Sequence, residues 1–163
     1  MDLPSLEKLK ELEKSARVEG SGIKFDSLLG LWKFKSVWKQ GSDTEDSISS
    51  TLLQVLSASL ELSKDTKKPE EEKFTIANAI KFGLLTLRFS GYANLERKQP
   101  LLPFSFDFIQ INFFTFNILK RSLPKTDKKK RPFFALIALD SDNNWLSARG
   151  KGGGLALWVR NKI

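Results

Sequence analysis

The chain has no cysteine and no histidine among its 163 residues, and only one methionine and one tyrosine. Without cysteine it cannot form a disulfide, a thiolate zinc site or a thiol nucleophile, and a reducing compartment fits. Without histidine it also lacks the most frequent general base and the most frequent transition-metal ligand. We therefore expect a protein that is not an enzyme, that has no metal site and that needs no cofactor.

Long apolar runs are also missing. No stretch approaches the roughly 18 uninterrupted apolar residues that a membrane-spanning helix requires. The first 17 residues mix acidic and basic side chains and contain no apolar core of a signal peptide. We expect a bacterial cytoplasmic protein with no cleaved signal, for which peripheral association with a membrane stays open.

Phenylalanine and positive charge are what the chain has in excess. There are 13 Phe residues, and the formal net charge is +8. A chain of this length buries roughly two-thirds of its unfolded surface in one core, so we expect a single domain over residues 1–163. Such a charge attracts anionic partners at low salt, and both lipid headgroups and nucleic acid qualify.

The N-terminal segment has the pattern of an amphipathic helix. Asp2 and Pro4 are typical of a helix start. Leucines follow at helical spacing, at Leu3, Leu6, Leu9 and Leu12. This predicts a helix over residues 2–17 that packs across one end of the fold. Its polar face mixes Glu with Lys, which favours a surface helix over a membrane-binding one.

Alternation of apolar and polar residues dominates after the break at Gly20–Gly22. It predicts strands near 30–39, 57–64, 74–81, 83–92, 102–119, 133–139, 145–149 and 154–160, the second having an ambiguous start from residue 47. About eight short strands with one leading helix predict an all-β fold, an antiparallel barrel over residues 28–163.

The predicted strand 102–119 has aromatic residues on both faces, at Phe104, Phe106, Phe108, Phe113, Phe114 and Phe116. Neither face of such a strand suits water, so we expect one face in the core and the other under a helix, a partner or a lipid surface. This segment is therefore a candidate interaction surface.

Gly30-Leu31-Trp32 begins the first strand and resembles the lipocalin, or calycin, pattern, in which a Gly-x-Trp closes the barrel floor. In that pattern an arginine from the last strand lies across the indole, where a cation–π contact contributes about 1 kcal/mol. Arg160 is the first candidate for this arginine and Arg149 the second. An ordinary core tryptophan is the alternative interpretation of the motif.

A second motif, residues 148–160, reads Ala-Arg-Gly-Lys-Gly-Gly-Gly-Leu-Ala-Leu-Trp-Val-Arg. It resembles the C-terminal signature of the plastid lipid-associated proteins, also called fibrillins or plastoglobulins. The Gly-x-Trp, the segment 87–92 and the segment 104–107 occur in the same order as in that family, so the resemblance extends over about 28–160. It implies a lipocalin-like barrel, a cyanobacterial source and possible peripheral location on the thylakoid membrane. A phosphate-binding nest is less favoured, because a strand and not a helix follows the glycines.

The resemblance implies binding of a lipid, an isoprenoid quinone, a carotenoid or a tetrapyrrole. An apolar pocket would then be lined by inward-facing residues, for which the candidates are Trp32, Phe34, Leu85, Leu87, Phe89, Phe104, Phe106, Leu155 and Leu157. One alternative is a membrane-surface or protein-interaction module with a solid barrel core, since a small barrel can be filled by its own side chains. A chromophore-handling lyase on the same fold is another.

A basic loop near the C-terminal third is the last candidate site. It contains Lys125, Lys128, Lys129, Lys130 and Arg131, so it is a possible contact with an anionic membrane, or simply a solvated hairpin loop. Nucleic acid is a less favoured partner, because Phe133 and Phe134 nearby alternate as buried residues do. Among carboxylates, alternation separates Asp107 from Phe106 and Phe108, so we assign no catalytic residue.

Overall fold

The computed structural model describes residues 2–46, 58–67, 73–96, 100–142 and 144–161. The ambiguous start of the second predicted strand, 47–57, lies outside these residues. Two helices, α1 (Leu6–Glu19) and α2 (Phe25–Leu28), precede the strands. The strands are β1 (Gly30–Trp38), β2 (Ser59–Lys64), β3 (Lys73–Phe82), β4 (Leu85–Asn94), β5 (Leu101–Phe113), β6 (Phe116–Ser122), β7 (Phe133–Asp140), β8 (Trp145–Gly150) and β9 (Leu155–Arg160).

The described strands form one antiparallel sheet that closes on itself. The order is β4-β3-β2-β1-β9-β8-β7-β5-β6, and β4 also pairs with β5. Eight strands therefore make the ring, and β6 is attached outside it as the second strand of a hairpin with β5. The sequence predicted a mostly β fold, an N-terminal helix and closure of the sheet, and these three features are confirmed.

Helix α1 begins later and lies elsewhere than predicted. The Ser5 hydroxyl accepts a hydrogen bond from the backbone N–H of Lys8, so the helix starts at Leu6, and it ends at Gly20 with φ 85°. Leu6 and Leu9 pack against the outer face of the sheet, in a cluster with Trp38, Ile137, Trp145, Leu155 and Leu157. The helix covers this outer face and does not cross one end of the ring.

The inner face of the ring carries the main core. Its fully buried members include Trp32, Leu62, Phe74 and Leu102. A β-bulge in β1 between Phe34 and Ser36 moves the strand out of phase. As a result Trp32 and Phe34 face the inner core, whereas Trp38 faces helix α1. Simple alternation over residues 30–39 did not predict this change of face.

A second bulge shifts the register between β4 and β5 at Ser90 and Gly91, so that Gly91 pairs with Phe106. A Cβ atom on Gly91 would lie 1.9 Å from the backbone oxygen of Ser105, so only glycine permits this close approach. The bulge leaves Phe106 packed against the inner core and Phe108 exposed on the outer face.

Two hairpins extend beyond the ring. The predicted single strand 102–119 is in fact β5 and β6, which turn at Phe114 and Thr115. The pairing of β5 with β7 ends at Pro103, and the pairing of β3 with β2 ends at Ala79. The distal parts of β3, β4, β5 and β6 therefore extend the sheet beyond the ring, and we call this extension the hairpin sheet.

Candidate functional site

The floor of the ring is built around Trp32, whose side chain is fully buried. Its Nε1 donates a hydrogen bond to the carbonyl of Leu28 at 2.8 Å. The Arg160 guanidinium lies over the indole, 4.3 Å from the ring centroid, and donates to the carbonyls of Leu29 (2.7 Å) and Ser27 (2.6 Å). Burial lowers the pKa of Arg160. The arginine therefore ties α2 to β9 across the tryptophan.

Gly30 is the position that lets this arginine approach. Its φ is +133°, and a Cβ atom there would lie 3.1 Å from Nη1 of Arg160. The structure thus brings together Gly30, Trp32 and Arg160, the first set proposed from the Gly-x-Trp pattern.

Arg149, the second candidate for the floor, lies on the opposite face. Its Nε and Nη2 donate to the two carboxylate oxygens of Glu13, each at 2.6 Å, and Nη1 donates to the carbonyl of Gly153 at 2.6 Å. A floor role for Arg149 is therefore wrong. The Arg-Gly and glycine-run motif instead holds helix α1 on the outer face of the sheet.

The Glu13–Arg149 pair makes the stability of the fold depend on pH. Hydrogen bonding by Arg149 lowers the pKa of Glu13 below its ordinary value of 4.5, and the same contact raises the pKa of Arg149. The pKa of Glu13 is lower in the folded state than in the unfolded state. The stabilisation from ionised Glu13 is therefore complete above pH 4.5 and is lost as pH falls through the folded-state pKa.

We predict that Glu13→Gln lowers the free energy of unfolding by about 1–3 kcal/mol at pH 7, because the partly buried Arg149 guanidinium loses a charged partner. Urea titrations of both proteins at pH 7 and pH 3 measure the effect, and the difference between them should be smaller at the lower pH. A matched control is Glu11→Gln, because Glu11 is exposed and its ion pair, with Lys8, is also exposed. An equal difference between Glu13→Gln and the native chain at both pH values would contradict the prediction.

The residues predicted to line a pocket occupy three places. Trp32 and Phe104 are buried in the inner core, and Phe34 and Phe106 pack against it. Leu155 and Leu157 belong to the outer cluster under α1, so their predicted inward orientation is wrong. Residues with the opposite phase, Ala156 and Trp158, contact the inner core. Leu87 is half-buried on the hairpin sheet, and Leu85 is exposed there.

Aromatic rings pack closely at the centre of the inner face. The ring centroids of Phe104 and Phe134 are 4.9 Å apart, and Phe104 also contacts Phe106 at 5.3 Å. Phe134 meets Trp158 edge-on at 5.5 Å. Five cavities of about 110 to 660 Å³ adjoin the described residues, and none of these five is lined by Trp32, Phe104 or Phe106.

No known protein family and no curated protein matches the sequence. Among the residues that the structure describes, no helix has the length and apolar character needed to cross a membrane.

Six of the twelve exposed large apolar side chains among the described residues lie at the end of the hairpin sheet. The β3–β4 and β5–β6 turns are neighbours there, because Leu85 pairs with Phe113 and the N–H of Phe114 donates to the carbonyl of Leu84 at 2.6 Å. We call the exposed apolar residues of this end the hairpin tips: Phe82, Leu84, Leu85, Phe113, Phe114 and Phe116. Three of the phenylalanines are 66–71% exposed.

The sequence pattern predicted the β5–β6 half of this surface and not the β3–β4 half. A signal for the missing half was present, since Phe82 and Leu84 flank Gly83 in a turn between two alternating strands.

The turn at Phe114 is strained. Phe114 has φ 54°, a left-handed conformation that costs a non-glycine residue about 1 kcal/mol or more. Gly83 occupies the corresponding first position of the neighbouring two-residue turn with φ 57°, where glycine is the usual residue. An aromatic ring therefore projects from the position at which the backbone prefers glycine.

The strand segments that lead to the hairpin tips carry basic and no acidic residues of their own, and one of the cations, Arg88, pairs with Glu61 of β2 at 2.8 Å. Residues 80–94 and 108–122 contain Lys81, Arg88, Lys120 and Arg121, and no Asp or Glu. Lys120 lies over the ring of Phe108, with its Nζ 5.1 Å from the centroid. The end of the hairpin sheet thus combines exposed aromatic rings with positive charge.

The basic loop is a different surface. Lys125, Lys128 and Arg131 border a cavity of about 660 Å³ together with Ala93 and Asn94, at the end of β4 remote from Leu85. Lys129 and Lys130 are exposed in the 3₁₀ turn Lys128–Lys130. Leu85 and Asn94 are nine residues apart along β4, so the hairpin tips and the basic loop are separated by roughly 30 Å of extended strand.

Proposed function

We propose that this chain is a non-catalytic protein that binds the surface of an anionic lipid membrane through its hairpin tips. The observation that carries the proposal is the group of exposed aromatic and leucine side chains on two adjacent turns, whose strands also carry Lys81, Lys120 and Arg121. The sequence had offered such a surface module as the alternative to a ligand carrier.

The energies involved are of the right size for reversible docking. Each lysine or arginine close to an anionic membrane contributes about 1 kcal/mol. Full burial of a phenylalanine side chain contributes about 1.5–3 kcal/mol. Lys81, Lys120 and Arg121 together with two or three inserted rings therefore contribute about 6–12 kcal/mol before the cost of association, which is the range of a weak, reversible contact.

The packing of the inner face favours this function over carriage in a closed pocket. The rings of Phe104, Phe106, Phe134 and Trp158 contact one another where a ligand in the ring would have to lie. A solid core suits a module that acts through its surface.

Vesicle flotation tests the proposal. The protein should float with phosphatidylcholine vesicles that contain about 30–40% phosphatidylglycerol, because the anionic lipid gives the vesicle surface a negative potential. It should not float with vesicles of pure phosphatidylcholine. Raising the salt from about 0.05 to 0.5 M should weaken binding because it screens the headgroups. Equal recovery with and without anionic lipid would contradict the proposal, as would no binding to either. Failure with vesicles combined with self-association would indicate a protein partner for the same surface.

A second candidate, carriage of an apolar small molecule by a lipocalin-like, fibrillin-type barrel, is supported by a different observation. The inner face continues from the core onto the hairpin sheet through half-buried apolar residues, among them Leu87, Phe89, Ile109 and Ile111. Native mass spectrometry of protein purified from its own host tests this candidate. A stoichiometric apolar molecule that Phe89→Ala loses would support it, and ligand-free protein would count against it.

A further inference from the structure

The cavity beside the basic loop is built from three strands, the turn after β2 and the loop itself. Strand residues from β3, β4 and β5 form one side, and the loop after β6 forms the other. The loop is held in place because the N–H of Leu123 donates to the carbonyl of Asp107 at 2.7 Å, and Lys151 Nζ donates to the carbonyls of Lys130 and Arg131.

Among the residues that the structure describes, the charge that lines this cavity is predominantly positive. Five cations contribute to it: Lys67, Lys73, Lys125, Lys128 and Arg131. Two carboxylates, those of Asp65 and Asp107, are also present. Asp65 is buried and accepts a hydrogen bond from the backbone N–H of Lys67 at 3.0 Å, so one of its oxygens already has a donor. The site therefore has an excess of donors with positive charge.

Arg131 provides an independent indication of a bound acceptor. Its Nε is buried and has no hydrogen-bond partner among the described residues. A buried N–H of this kind normally has an acceptor, and guanidinium groups pair with phosphate oxygens in a planar, two-donor geometry.

The walls also indicate the shape of the ligand. About 660 Å³ is the size of a small-molecule site and exceeds what a single inorganic ion fills. Tyr92, Ala93 and Pro103 contribute apolar surface beside the cations.

We propose that this cavity binds an organic phosphate, with Lys125, Lys128 and Arg131 on the phosphate and Tyr92 and Pro103 against the organic part. The proposal does not rest on membrane docking, because the hairpin tips lie at the other end of the same strands. The phosphate has two possible sources, a free phosphorylated metabolite and a lipid headgroup.

Calorimetry with glycerol 3-phosphate, and inorganic phosphate as a second probe, tests the site. We expect saturable binding, tighter for the organic phosphate, and about tenfold or greater weakening in Lys125→Gln/Lys128→Gln, because each charge-assisted hydrogen bond to phosphate is strong. Both lysines are exposed, so this variant should fold, and Arg131→Gln is the second variant. Lys14→Gln/Lys33→Gln is the matched control, since it removes the same charge from exposed positions elsewhere.

Vesicles containing phosphatidic acid distinguish the two sources. They are offered to Phe114→Ser/Phe116→Ser, in which the hairpin tips are disabled. Binding of glycerol 3-phosphate with no binding of these vesicles assigns the site to a free metabolite, and vesicle binding that Lys125→Gln/Lys128→Gln abolishes assigns it to a headgroup. Equal affinity of the native, loop and control proteins for glycerol 3-phosphate, or no heat of binding at all, would overturn the proposal.

Discussion

Replacing Phe114 with glycine should weaken binding to anionic vesicles about tenfold and, at the same time, raise the free energy of unfolding by about 1 kcal/mol. The two effects have separate causes. The ring that enters the membrane is lost, and the left-handed backbone at φ 54° becomes one that glycine adopts without cost. A residue kept for stability would not give these opposite results.

Two matched variants separate the ring from the backbone. Phe116→Ser removes an equally exposed aromatic ring from a position without positive φ, so it should weaken vesicle binding similarly and leave stability unchanged. Thr115→Gly changes the same turn and removes no ring, so it should leave vesicle binding unchanged. Vesicle titrations and urea unfolding measure both quantities. If Phe114→Gly bound vesicles as well as the native chain, the hairpin tips would not be the docking surface.

The strained turn also bears on how the sequence should be interpreted. Exposed phenylalanine rings on a hairpin turn do not stabilise the isolated folded chain. One of them, Phe114, occupies the same turn position as Gly83 in the adjacent hairpin. Local strain that persists at an exposed position is typical of functional sites, because the cost is offset only when the side chain acts on something outside the fold.

The fold class was predictable because its signals are local. Alternation marks strands wherever one face is buried, and the Gly-x-Trp and the terminal arginine met as the pattern implied. The pairing of Arg160 with Trp32 needed only the proximity of first and last strands, which closure of a sheet provides.

The residues of each strand that face the inside of the ring were not predictable, because an alternating sequence pattern does not reveal β-bulges. A single extra residue near Lys35 reverses the faces of β1, and another near Ile137 does so in β7. The face chosen for Leu155 and Leu157 was wrong for a related reason. Both faces of β9 are apolar, since helix α1 covers one and the core lies on the other, and the sequence alone does not distinguish them.

The hairpin at Phe114 was missed because the turn lacks the usual turn residues. Phe113-Phe114-Thr115-Phe116 contains no Gly, Asn, Asp or Pro, so the two strands appeared as one segment, 102–119. Phe114 explains both the missed turn and the proposed membrane contact, because an aromatic residue occupies a position at which the backbone favours glycine.

Arg160→Met should lower the free energy of unfolding by about 2–4 kcal/mol, the largest loss that we expect from one surface-accessible side chain. Methionine keeps the apolar stem against Trp32 but leaves the carbonyls of Ser27 and Leu29 without their donor. For a chain of this size the melting temperature should fall by roughly 5–15 °C.

Arg160→Lys should lie between the native chain and Arg160→Met, because an ammonium keeps the charge over the ring but lacks the planar fork that serves two carbonyls at once. Arg17→Met is the control, since Arg17 is 72% exposed and pairs with the Glu13 carboxylate, not with the backbone carbonyls of the floor. Differential scanning calorimetry orders the four proteins. A melting temperature for Arg160→Met equal to that of Arg17→Met would show that the floor contact does not hold α2 to β9. Vesicle binding measured below the melting temperatures should be the same in all four, because the hairpin tips lie on other strands.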